Sequence, residues 1–262
     1  MSLTIDFNER VAVVTGSAGG IGREIGRTLL EGGARVAFAD IAPVTLDSDD
    51  GRSIAVRLDV TDPDSTRGGL AEVTERLGPI DLLVNNAGMA ARRQGLPFTN
   101  QERSDWEPVL TVNAIGTFVV SRAFVLGRDA DRPGVIVNLS SVAGRMGSQT
   151  DPSYSAAKAA VINLTQCMAK DLAPVVRVCA VCPGMVRTPF YEAQYQAAAA
   201  RDPAIAEMTS EEYFDDKARK LIPLGVGQRP RDVAETVAFL ASDLAACITG
   251  QTLNVDGGLV MS

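Results

Sequence analysis

Val11-Ala-Val-Val-Thr15-Gly16-Ser-Ala-Gly-Gly20-Ile-Gly22 joins an apolar, β-branched run to a glycine-rich segment. The run predicts a buried strand, and the glycines let the backbone turn sharply into a helix. That helix is indicated by Ile21, Ile25 and Leu29, which share one helical face. Its free N–H groups and positive dipole end predict a site for the pyrophosphate of a dinucleotide, formed by Gly16, Ser17, Gly20, Ile21 and Gly22.

Further apolar runs recur along the chain: Val36–Ala39, Ile54–Leu58, Ile80–Asn85, Val135–Leu139, Val176–Val181 and Thr252–Val255. They are nearly continuous rather than alternating, which is typical of strands covered on both faces. Helical segments lie between most of them. The pattern predicts a single α/β domain of 262 residues, a Rossmann-type doubly wound sheet of seven parallel strands with helices on both faces. Ligands then bind beyond the carboxyl ends of the strands.

The stretch between Asp40 and Asp59 departs from this alternation. It has room for a strand but hardly for a helix, and Pro43 and Gly51 indicate turns. We therefore expect an abbreviated crossover at this point.

Residues 189–225 also lack a strand pattern. They contain two helical pieces, Tyr191–Arg201 and Ser210–Leu221, interrupted at Pro203. An insertion of this length after a strand end predicts a substrate lid, or a helical pair that packs on a neighbouring subunit.

Composition and charge exclude several classes of protein. The formal net charge is −7, and the sequence contains no histidine. Non-specific nucleic-acid binding requires clustered positive charge, so no nucleic-acid partner is expected. Without histidine, Ser-His-Asp triads and zinc sites of the usual composition are excluded, and we expect no metal site. Any proton transfer must use Tyr, Lys, Asp, Glu or Cys.

No segment indicates a membrane or an export signal. Met1–Arg10 has no apolar signal core, and the apolar runs elsewhere are too short to span a bilayer. We expect a cytoplasmic protein. Cys179 and Cys182 form a Cys-x-x-Cys, but on a strand residues three apart face opposite sides, so we expect buried thiols rather than a redox pair.

Asp40 closes the second predicted strand and bears on the choice of cofactor. An acidic side chain there can accept hydrogen bonds from the adenosine ribose hydroxyls and repel a 2′-phosphate. No Lys or Arg stands among Ser17, Ala18 and Gly19, or beside Asp40, to bind that phosphate. The sequence therefore predicts NAD rather than NADP as the cofactor. The alternative interpretation is that Asp40 only caps the end of its strand.

Polar side chains cluster after the fifth predicted strand. Ser140 and Ser141 end that strand, and Tyr154 and Lys158 lie four residues apart on one face of a predicted helix. A Tyr hydroxyl has a reference pKa of about 10, and we expect the Lys158 ammonium to lower the pKa of Tyr154. Asn113 falls on the core-facing stripe of another helix, where a buried amide must be hydrogen-bonded. Each residue alone has a structural interpretation, but together they predict an acid/base site.

A set of motifs extends over nearly the whole chain: Thr15-Gly16-Ser-Ala-Gly-Gly20-Ile-Gly22, Asp59-Val60, Asn85-Asn-Ala-Gly88, Asn113, Ser141, Tyr154-x-x-x-Lys158, Pro183-Gly184-Met-Val-Arg-Thr188 and Asn254-Val-Asp-Gly-Gly258. This set resembles the compact, single-domain branch of the short-chain dehydrogenase/reductase family. The resemblance implies an oxidoreductase that moves a hydride between a nicotinamide cofactor and an alcohol or ketone carbon.

The resemblance also implies a role for each matched residue. Ser141, which the family's serine-to-tyrosine spacing selects over Ser140, would polarise the substrate oxygen, and Tyr154 would exchange its proton. Lys158 would lower the tyrosine's pKa and bind the nicotinamide ribose, while Asn113 would anchor a water linking Lys158 to solvent. Further cofactor contacts would come from Asp59 and Val60 at adenine, from Asn86, Ala87 and Gly88, and from Pro183, Gly184, Val186 and Thr188, of which the last two would fix the carboxamide.

The terminal pattern, from Ile222-Pro-Leu-Gly225 to Val255-Asp-Gly-Gly258, resembles acetoin, butanediol and sugar-alcohol dehydrogenases. This resemblance implies a small polyol, hydroxyketone or sugar as substrate. A 3-oxoacyl thioester reductase is the alternative enzyme, for which NADP preference would be expected. A nucleotide-sensing, non-catalytic binding protein is the alternative outside enzymes. Relatives in the family are usually tetramers, and the apolar tail Leu259–Met261 would suit an interface, so we expect a homotetramer.

Candidate pocket residues follow the matched motifs: Met89–Arg93, Ala143–Gly147, Gln149 and the predicted lid from Pro189. They bring arginines that a plain ketone does not need: Arg92, Arg93, Arg145 and Arg187. Arginine pairs well with carboxylate, phosphate or sulfonate groups. The sequence leaves two interpretations open, an anionic substrate or arginines that serve solubility and salt bridges.

Overall fold

Seven parallel strands form the centre of the protein in the computed structural model, which describes residues 5–47, 51–147 and 151–261. They are β1 Val11–Thr15, β2 Arg35–Asp40, β3 Ser53–Arg57, β4 Leu82–Asn85, β5 Gly134–Leu139, β6 Val176–Pro183 and β7 Thr252–Val255. Their order in the sheet is β3-β2-β1-β4-β5-β6-β7, so the winding reverses between β1 and β4. The predicted Rossmann-type, doubly wound single domain is confirmed, and each predicted run coincides with a strand apart from small shifts at the ends.

Helices cover both faces of this sheet. The α-helices of the described residues are α1 Gly20–Glu31, α2 Pro63–Leu77, α3 Arg103–Leu110, α4 Gly116–Leu126, α5 Pro152–Leu172, α6 Pro189–Ala199, α7 Pro203–Ala206, α8 Ser210–Leu221 and α9 Pro230–Ala241. Helices α1 and α9 contribute side chains to the core on one face, and α2, α4 and α5 contribute to the core on the other.

The two cores explain why the strand sequences are continuously apolar. Val14 of β1 lies in the core beneath α1 and α9, whereas its neighbour Val13 lies in the core beneath α2 and α4. Both are fully buried. Burying a side chain of this size contributes roughly 1.5–3 kcal/mol, so the side chains on both faces of β1 stabilise the same fold.

The two predicted departures from alternation are present. Among the described residues between β2 and β3, which are 41–47 and 51–52, there is no helix, so the crossover is abbreviated as predicted. Helices α6 to α8 occupy the predicted insertion. Helix α6 begins earlier than expected, because Pro189 suits the first turn of a helix, where its missing N–H costs nothing.

The run Arg103–Leu126 comprises α3, a π-helical turn at Thr111–Ile115 and α4. By length and composition alone it is a described helix that could cross a membrane. Val120 and Phe124 pack into the core of the domain, while Ile115 and Phe118 are exposed. The core helix of a globular domain passes the same test, so this run carries no argument for a membrane.

The cysteines of the Cys-x-x-Cys lie on β6 as predicted. Cys179 and Cys182 are both fully buried and both are free thiols. They are part of the packing of the sheet.

Candidate active site

A cavity of about 1110 Å³ opens at the carboxyl ends of the strands, beneath α6 and α8. Its position is the one that a doubly wound sheet provides for ligands. The following predicted residues line it: Gly16, Gly20, Ile21, Asp40, Asp59, Val60, Asn86, Ala87, Gly88, Ser141, Tyr154, Lys158, Pro183, Gly184, Val186 and Thr188. The structure thus brings almost all of the predicted site to one cavity.

Three predicted residues do not line the cavity and instead support its walls. Ser17 is fully buried, and its N–H and hydroxyl both donate to the Ala39 carbonyl. A Cβ on Gly22 would lie 2.4 Å from the carbonyl oxygen of Gly16, so glycine is required there for the loop to fold over the helix. Asn113 is fully buried behind the cavity wall.

The glycine loop fits a dinucleotide pyrophosphate. Gly16 and Gly20 have φ values of 65° and 58°, a region that favours glycine. Helix α1 begins after Gly19 without a side-chain cap, so the N–H groups of its first turn are free of side-chain partners. A Cβ on Gly19 would meet nothing within 4 Å, so the loop faces open space. Free N–H groups and a positive dipole end beside that space suit an anion.

Acidic side chains lie at the end of the cavity formed by β2 and β3. The two carboxylate oxygens of Asp40 accept from the N–H groups of Ala18 and Ala42, each at 2.9 Å, which holds the carboxylate beside the glycine loop. Asp59 accepts from the hydroxyl and the N–H of Thr61, and these hydrogen bonds lower its pKa. Both carboxylates retain lone pairs for ligand hydroxyl or amino groups.

Tyr154 enters the cavity from the first turn of α5. Asp151 caps this helix, since one carboxylate oxygen accepts from the Tyr154 N–H at 3.0 Å and the other accepts from the Ala91 N–H at 2.8 Å. Pro152 occupies the first turn, where proline favours helix initiation. The Tyr154 hydroxyl is hydrogen-bonded to Ser141, and its ring packs against Phe190 at 5.7 Å between centroids.

The two adjacent serines have different partners. The Ser140 hydroxyl donates to the carbonyl oxygen of Lys158 at 2.7 Å, which ties the end of β5 to α5. The Ser141 hydroxyl accepts from the Ala143 N–H and is hydrogen-bonded to Tyr154. Ser141 is therefore the serine whose hydroxyl stands beside the tyrosine.

Lys158 lies beneath Tyr154, one helical turn along α5. Its side chain is buried, and Nζ donates to the Leu139 carbonyl at 2.8 Å and stands 5.5 Å from the Tyr154 ring centroid. A Cβ on Gly144 would lie 2.7 Å from the Lys158 backbone, so glycine lets the loop after β5 pack directly on α5.

The pKa values of this pair differ from the sequence-based expectation. Burial raises the pKa of Tyr154 to about 12, against a smaller lowering by the Ser141 hydrogen bond. Burial also lowers the pKa of Lys158 to about 8. The predicted lowering of the tyrosine's pKa is thus outweighed by burial, which disfavours the charged form of both groups.

Asn113 lies in the π-helical turn between α3 and α4. Its Nδ2 donates to the carbonyl oxygens of Met89 and Val109, at 2.8 and 2.9 Å. Its Oδ1 is buried and has no hydrogen-bond partner among the described residues. A Cβ on Gly88 would lie 2.7 Å from Asn113 Oδ1 and 3.4 Å from Lys158 Nζ, so both polar atoms adjoin the same glycine. The buried Oδ1 of Asn113 can therefore accept a hydrogen bond from a water at this position.

The arginines considered for an anion pocket are directed elsewhere. Arg93 pairs with Asp105 at 2.6 Å, and Arg145 donates to the Thr252 carbonyl at 2.6 Å. Arg187 pairs with acidic residues of α8 and stacks on Phe214 at 4.7 Å. Among the described residues that line the cavity there is no arginine, and Arg92 is exposed. Gln149 lies outside the described residues, whereas Met89, Ala143, Met146 and Gly147 line the cavity as predicted.

Asp151 was not predicted from the sequence, and the predicted lid did not single out its residues that face the cavity. Asp151 positions Tyr154, and the signal was available, since Asp followed by Pro before a helix is a common start signal. Tyr191, Gln194 and Lys217 line the cavity from α6 and α8. No periodicity shows which face of an inserted helix turns toward a site.

Fold and site together define a class, the Rossmann-type oxidoreductases that use a nicotinamide cofactor on CH–OH or keto groups. A family model described as Enoyl-(Acyl carrier protein) reductase matches residues 16–260. The chain belongs to the short-chain dehydrogenase/reductase family, as its motifs predicted. The predicted enzyme is thereby confirmed over the non-catalytic alternative.

Relatives cover the chain almost completely. The 3-oxoacyl-acyl-carrier-protein reductase FabG of Thermotoga maritima is 36% identical over 260 residues, which is 96% of this chain and 98% of the relative. The cis-4-hydroxycyclohexanecarboxylate dehydrogenase of Sinomonas cyclohexanicum is 38% identical over 259 residues, 96% of this chain and 97% of the relative. Ligand-free aldohexose dehydrogenase of Thermoplasma acidophilum has a TM-score of 0.85 and 31% identity, covering 96% of this chain and 94% of that one.

Proposed function

We propose that the protein transfers a hydride between NAD(H) and the oxygen-bearing carbon of a secondary alcohol or ketone, with Tyr154 as acid/base. The observation that carries this proposal is that Ser141, Tyr154 and Lys158 meet in the cavity that the glycine loop also lines. The nicotinamide, when bound, accepts or supplies the hydride. The chain itself binds and orients both partners and moves the proton.

Ser141 and Tyr154 hold the reacting oxygen. Their hydroxyls are hydrogen-bonded to each other, so a substrate oxygen beside both can accept from each of them. In reduction, Tyr154 gives its proton to the oxygen as negative charge develops there, and Ser141 stabilises that charge. In oxidation the same tyrosine takes the proton from the alcohol.

The proton of Tyr154 has a path into the interior through Lys158 and Asn113. Lys158 Nζ lies under the tyrosine ring, and the unpartnered Oδ1 of Asn113 adjoins it across Gly88. We assign Asn113 to hold a water that relays protons between Lys158 and solvent. Lys158 also supplies a cation that favours the phenolate once the nicotinamide charge joins it.

The first turn of α1 would hold the pyrophosphate of the cofactor, and Asp40 and Asp59 would hold its adenosine. Asp40 lines that end of the cavity together with Ile41, and no Lys or Arg among the described residues lines it there. Arg57 stands opposite Asp40 in the β2–β3 register but does not line the cavity. A 2′-phosphate would therefore face a carboxylate without a compensating cation, which supports NAD over NADP.

The cofactor assignment predicts a higher kcat/KM with NADH than with NADPH in the wild type. Asp40→Ala removes the acceptor for the ribose hydroxyls and the repulsion of a 2′-phosphate, so the NADH/NADPH ratio should fall by about 10- to 100-fold. Steady-state kinetics with both cofactors measures it. Asp64→Ala, an exposed acid of α2, serves as the control and should leave the ratio unchanged. A wild type that prefers NADPH would contradict the assignment.

The acid/base role predicts a different pH dependence in the two directions. Burial keeps the Tyr154 pKa high, at about 12 in the protein alone, so the phenol is protonated at neutral pH. Reduction needs that proton, which a pKa of about 12 keeps on the phenol up to pH 10, so its kcat/KM should stay nearly constant. Oxidation needs the phenolate and should speed up as pH rises. Profiles of kcat/KM in both directions between about pH 6 and pH 10 measure this. Parallel profiles in the two directions would count against a tyrosine acid/base.

We propose that α6 to α8 form a lid over the substrate end of the cavity. The lid residues that line it are Pro189, Phe190, Tyr191, Gln194, Lys217 and Leu221. Arg187, at the end of β6, makes ion pairs of 2.6 Å with Glu211 and Asp215 of α8, and these pairs hold the lid against the sheet.

The walls of the substrate end favour a molecule with an apolar skeleton. Met146, Met185, Phe190, Leu221 and Leu259 line this part of the cavity. The many hydroxyls of a sugar or polyol would lose water there without gaining hydrogen bonds, which costs free energy. A ketone or alcohol on an acyl chain or carbocycle fits these walls better.

A 3-oxoacyl thioester reductase is the second candidate, and the relatives' names support it better than the sugar-alcohol expectation. The relative from Thermotoga maritima is a 3-oxoacyl-acyl-carrier-protein reductase, and its match spans both chains. An apolar substrate end suits an acyl chain. NADH oxidation with a 3-oxoacyl thioester, a hydroxyketone, a cyclic ketone and a sugar tests the choice. Highest kcat/KM for the thioester would establish the second candidate, and highest kcat/KM for the sugar would refute the apolar assignment.

We propose a homotetramer in the cytoplasm, with the outer face of α4 in a subunit interface. Phe118 and Leu126 of α4, and Ile115 in the π-helical turn just before it, are exposed apolar side chains. Light scattering should give the mass of four chains, and Phe118→Glu should dissociate the assembly because it buries a charge. Phe98→Glu, at an exposed phenylalanine outside this face, should leave the mass unchanged. A monomeric wild type would refute the proposal.

A further inference from the structure

One lid cation faces the cavity and has no acidic partner. Lys217 of α8 is half-buried and lines the cavity, yet it makes no hydrogen bond or ion pair with any described residue. Its ammonium stands 5.6 Å from the Tyr213 ring, one helical turn away. Burial lowers the pKa of Lys217, with no neighbouring anion to offset that effect. The half-buried ammonium of Lys217 therefore has no acidic partner among the described residues.

The acidic side chains of α8 are all engaged elsewhere. Glu211 and Asp215 pair with Arg187, and Asp216 pairs with Lys220 at 2.7 Å. Glu212 completes the capping box at the start of the helix. Lys217 pairs with none of these four acidic residues. Its ammonium therefore faces away from the charged surface of the helix.

A second polar group without a partner lines the same cavity. The Tyr191 side chain is 6% exposed, and its hydroxyl is buried with no hydrogen-bond partner among the described residues. Its ring lies 6.4 Å from that of Tyr213, over which the Lys217 ammonium stands, so these side chains are neighbours. A buried hydroxyl without a partner costs free energy until a ligand supplies one.

Building on the proposed function, we propose that Lys217 binds a carboxylate on the substrate, so that the substrate is a keto or hydroxy acid with an apolar skeleton. Tyr191 adds a second donor. One ammonium and one hydroxyl suit the single charge of a carboxylate, and the cavity has no arginine among its described lining residues to match a dianionic phosphate. The apolar residues that line the cavity then accommodate the skeleton.

The test compares wild type, Lys217→Met and Lys220→Met. Lys220 is on the same helix but exposed, so its variant controls for loss of a lysine from the lid. Each enzyme receives NADH with 4-oxocyclohexanecarboxylate, 3-oxohexanoate and the carboxamide of each. The wild type should prefer an acid over its amide by about tenfold or more in kcat/KM, because a charge-assisted contact is lost in the amide.

The preference should vanish in Lys217→Met and persist in Lys220→Met, while turnover of the amides and the KM for NADH stay unchanged. Two results would overturn the proposal: equal kcat/KM for acid and amide in the wild type, or an acid preference that survives Lys217→Met. A raised KM for NADH with every substrate would assign Lys217 to the cofactor instead. No turnover of any compound, acid or amide, would contradict the proposed function itself and the inference with it.

Discussion

Tyr154→Phe should lower kcat by about 10³-fold in both directions while NADH binding stays nearly unchanged. The substitution removes one oxygen from a ring that packs against Phe190 and keeps its shape. Without that oxygen the phenol that exchanges the proton beside Ser141 is lost. Steady-state kinetics gives the loss, and fluorescence titration with NADH gives the binding.

Tyr195→Phe is the matched control. The Tyr195 hydroxyl is also hydrogen-bonded, to the Met208 carbonyl at 2.5 Å, but Tyr195 does not line the cavity. Its loss should lower thermal stability slightly and leave kcat within about twofold, since one hydrogen bond is worth about 1 kcal/mol of folding free energy. Turnover by Tyr154→Phe at a rate near that of the wild type would refute the acid/base assignment.

Lys158→Met should lower kcat by about 10²-fold and raise the KM for NADH. Methionine fills a similar volume, so the packing of α5 against β5 persists. The variant loses the cation beneath the tyrosine and the donor that would reach the nicotinamide ribose. Kinetics in both directions measures the two effects.

The pH dependence of the free energy of unfolding tests whether Lys158 is the buried, titratable cation beneath Tyr154. The folded-state pKa of Lys158, about 8, lies below its ordinary value of 10.5. The unfolded chain therefore binds more protons between these values, and the wild type should gain stability as pH rises from 8 to 10.5. Lys158→Met should lack that gain, whereas Lys170→Met, an exposed lysine of the same helix, should keep it. Denaturant titrations at several pH values test this, and the same gain in Lys158→Met would contradict the assignment.

Much of the fold could be predicted because its signals are local and repeated. Val13 and Val14 face opposite cores, so strand sequences buried on both faces are recognisable without a structure. The glycine loop and the Tyr154 to Lys158 spacing are short-range patterns whose geometry follows from one turn of backbone or helix.

What the sequence could not give depends on contacts between distant segments. Arg187 reads as a possible anion ligand until the structure shows Glu211 and Asp215 beside it. Lys217 lies in the predicted lid, but only the structure shows that α8 turns this residue toward the cavity. The Tyr154 pKa was misjudged for the same reason, since sequence spacing shows the neighbouring lysine but not the burial that outweighs it.

Asn113 shows the same limit within a single element. Its place on the buried side of a helix follows from periodicity, but the π-helical turn that carries it does not. The turn is important because it places the Oδ1 of Asn113 next to Gly88 and Lys158. This oxygen has no hydrogen-bond partner among the described residues.

Hydride transfer from NADH to a substrate carbon can be followed directly with a deuterium label. The wild type is given NADH with deuterium at the transferable C4 position and a ketone that it reduces, and the alcohol is analysed by mass spectrometry. We expect one deuterium on the carbinol carbon and a slower reaction than with unlabelled NADH. Alcohol without deuterium, with the label left on the cofactor or lost to water, would contradict it.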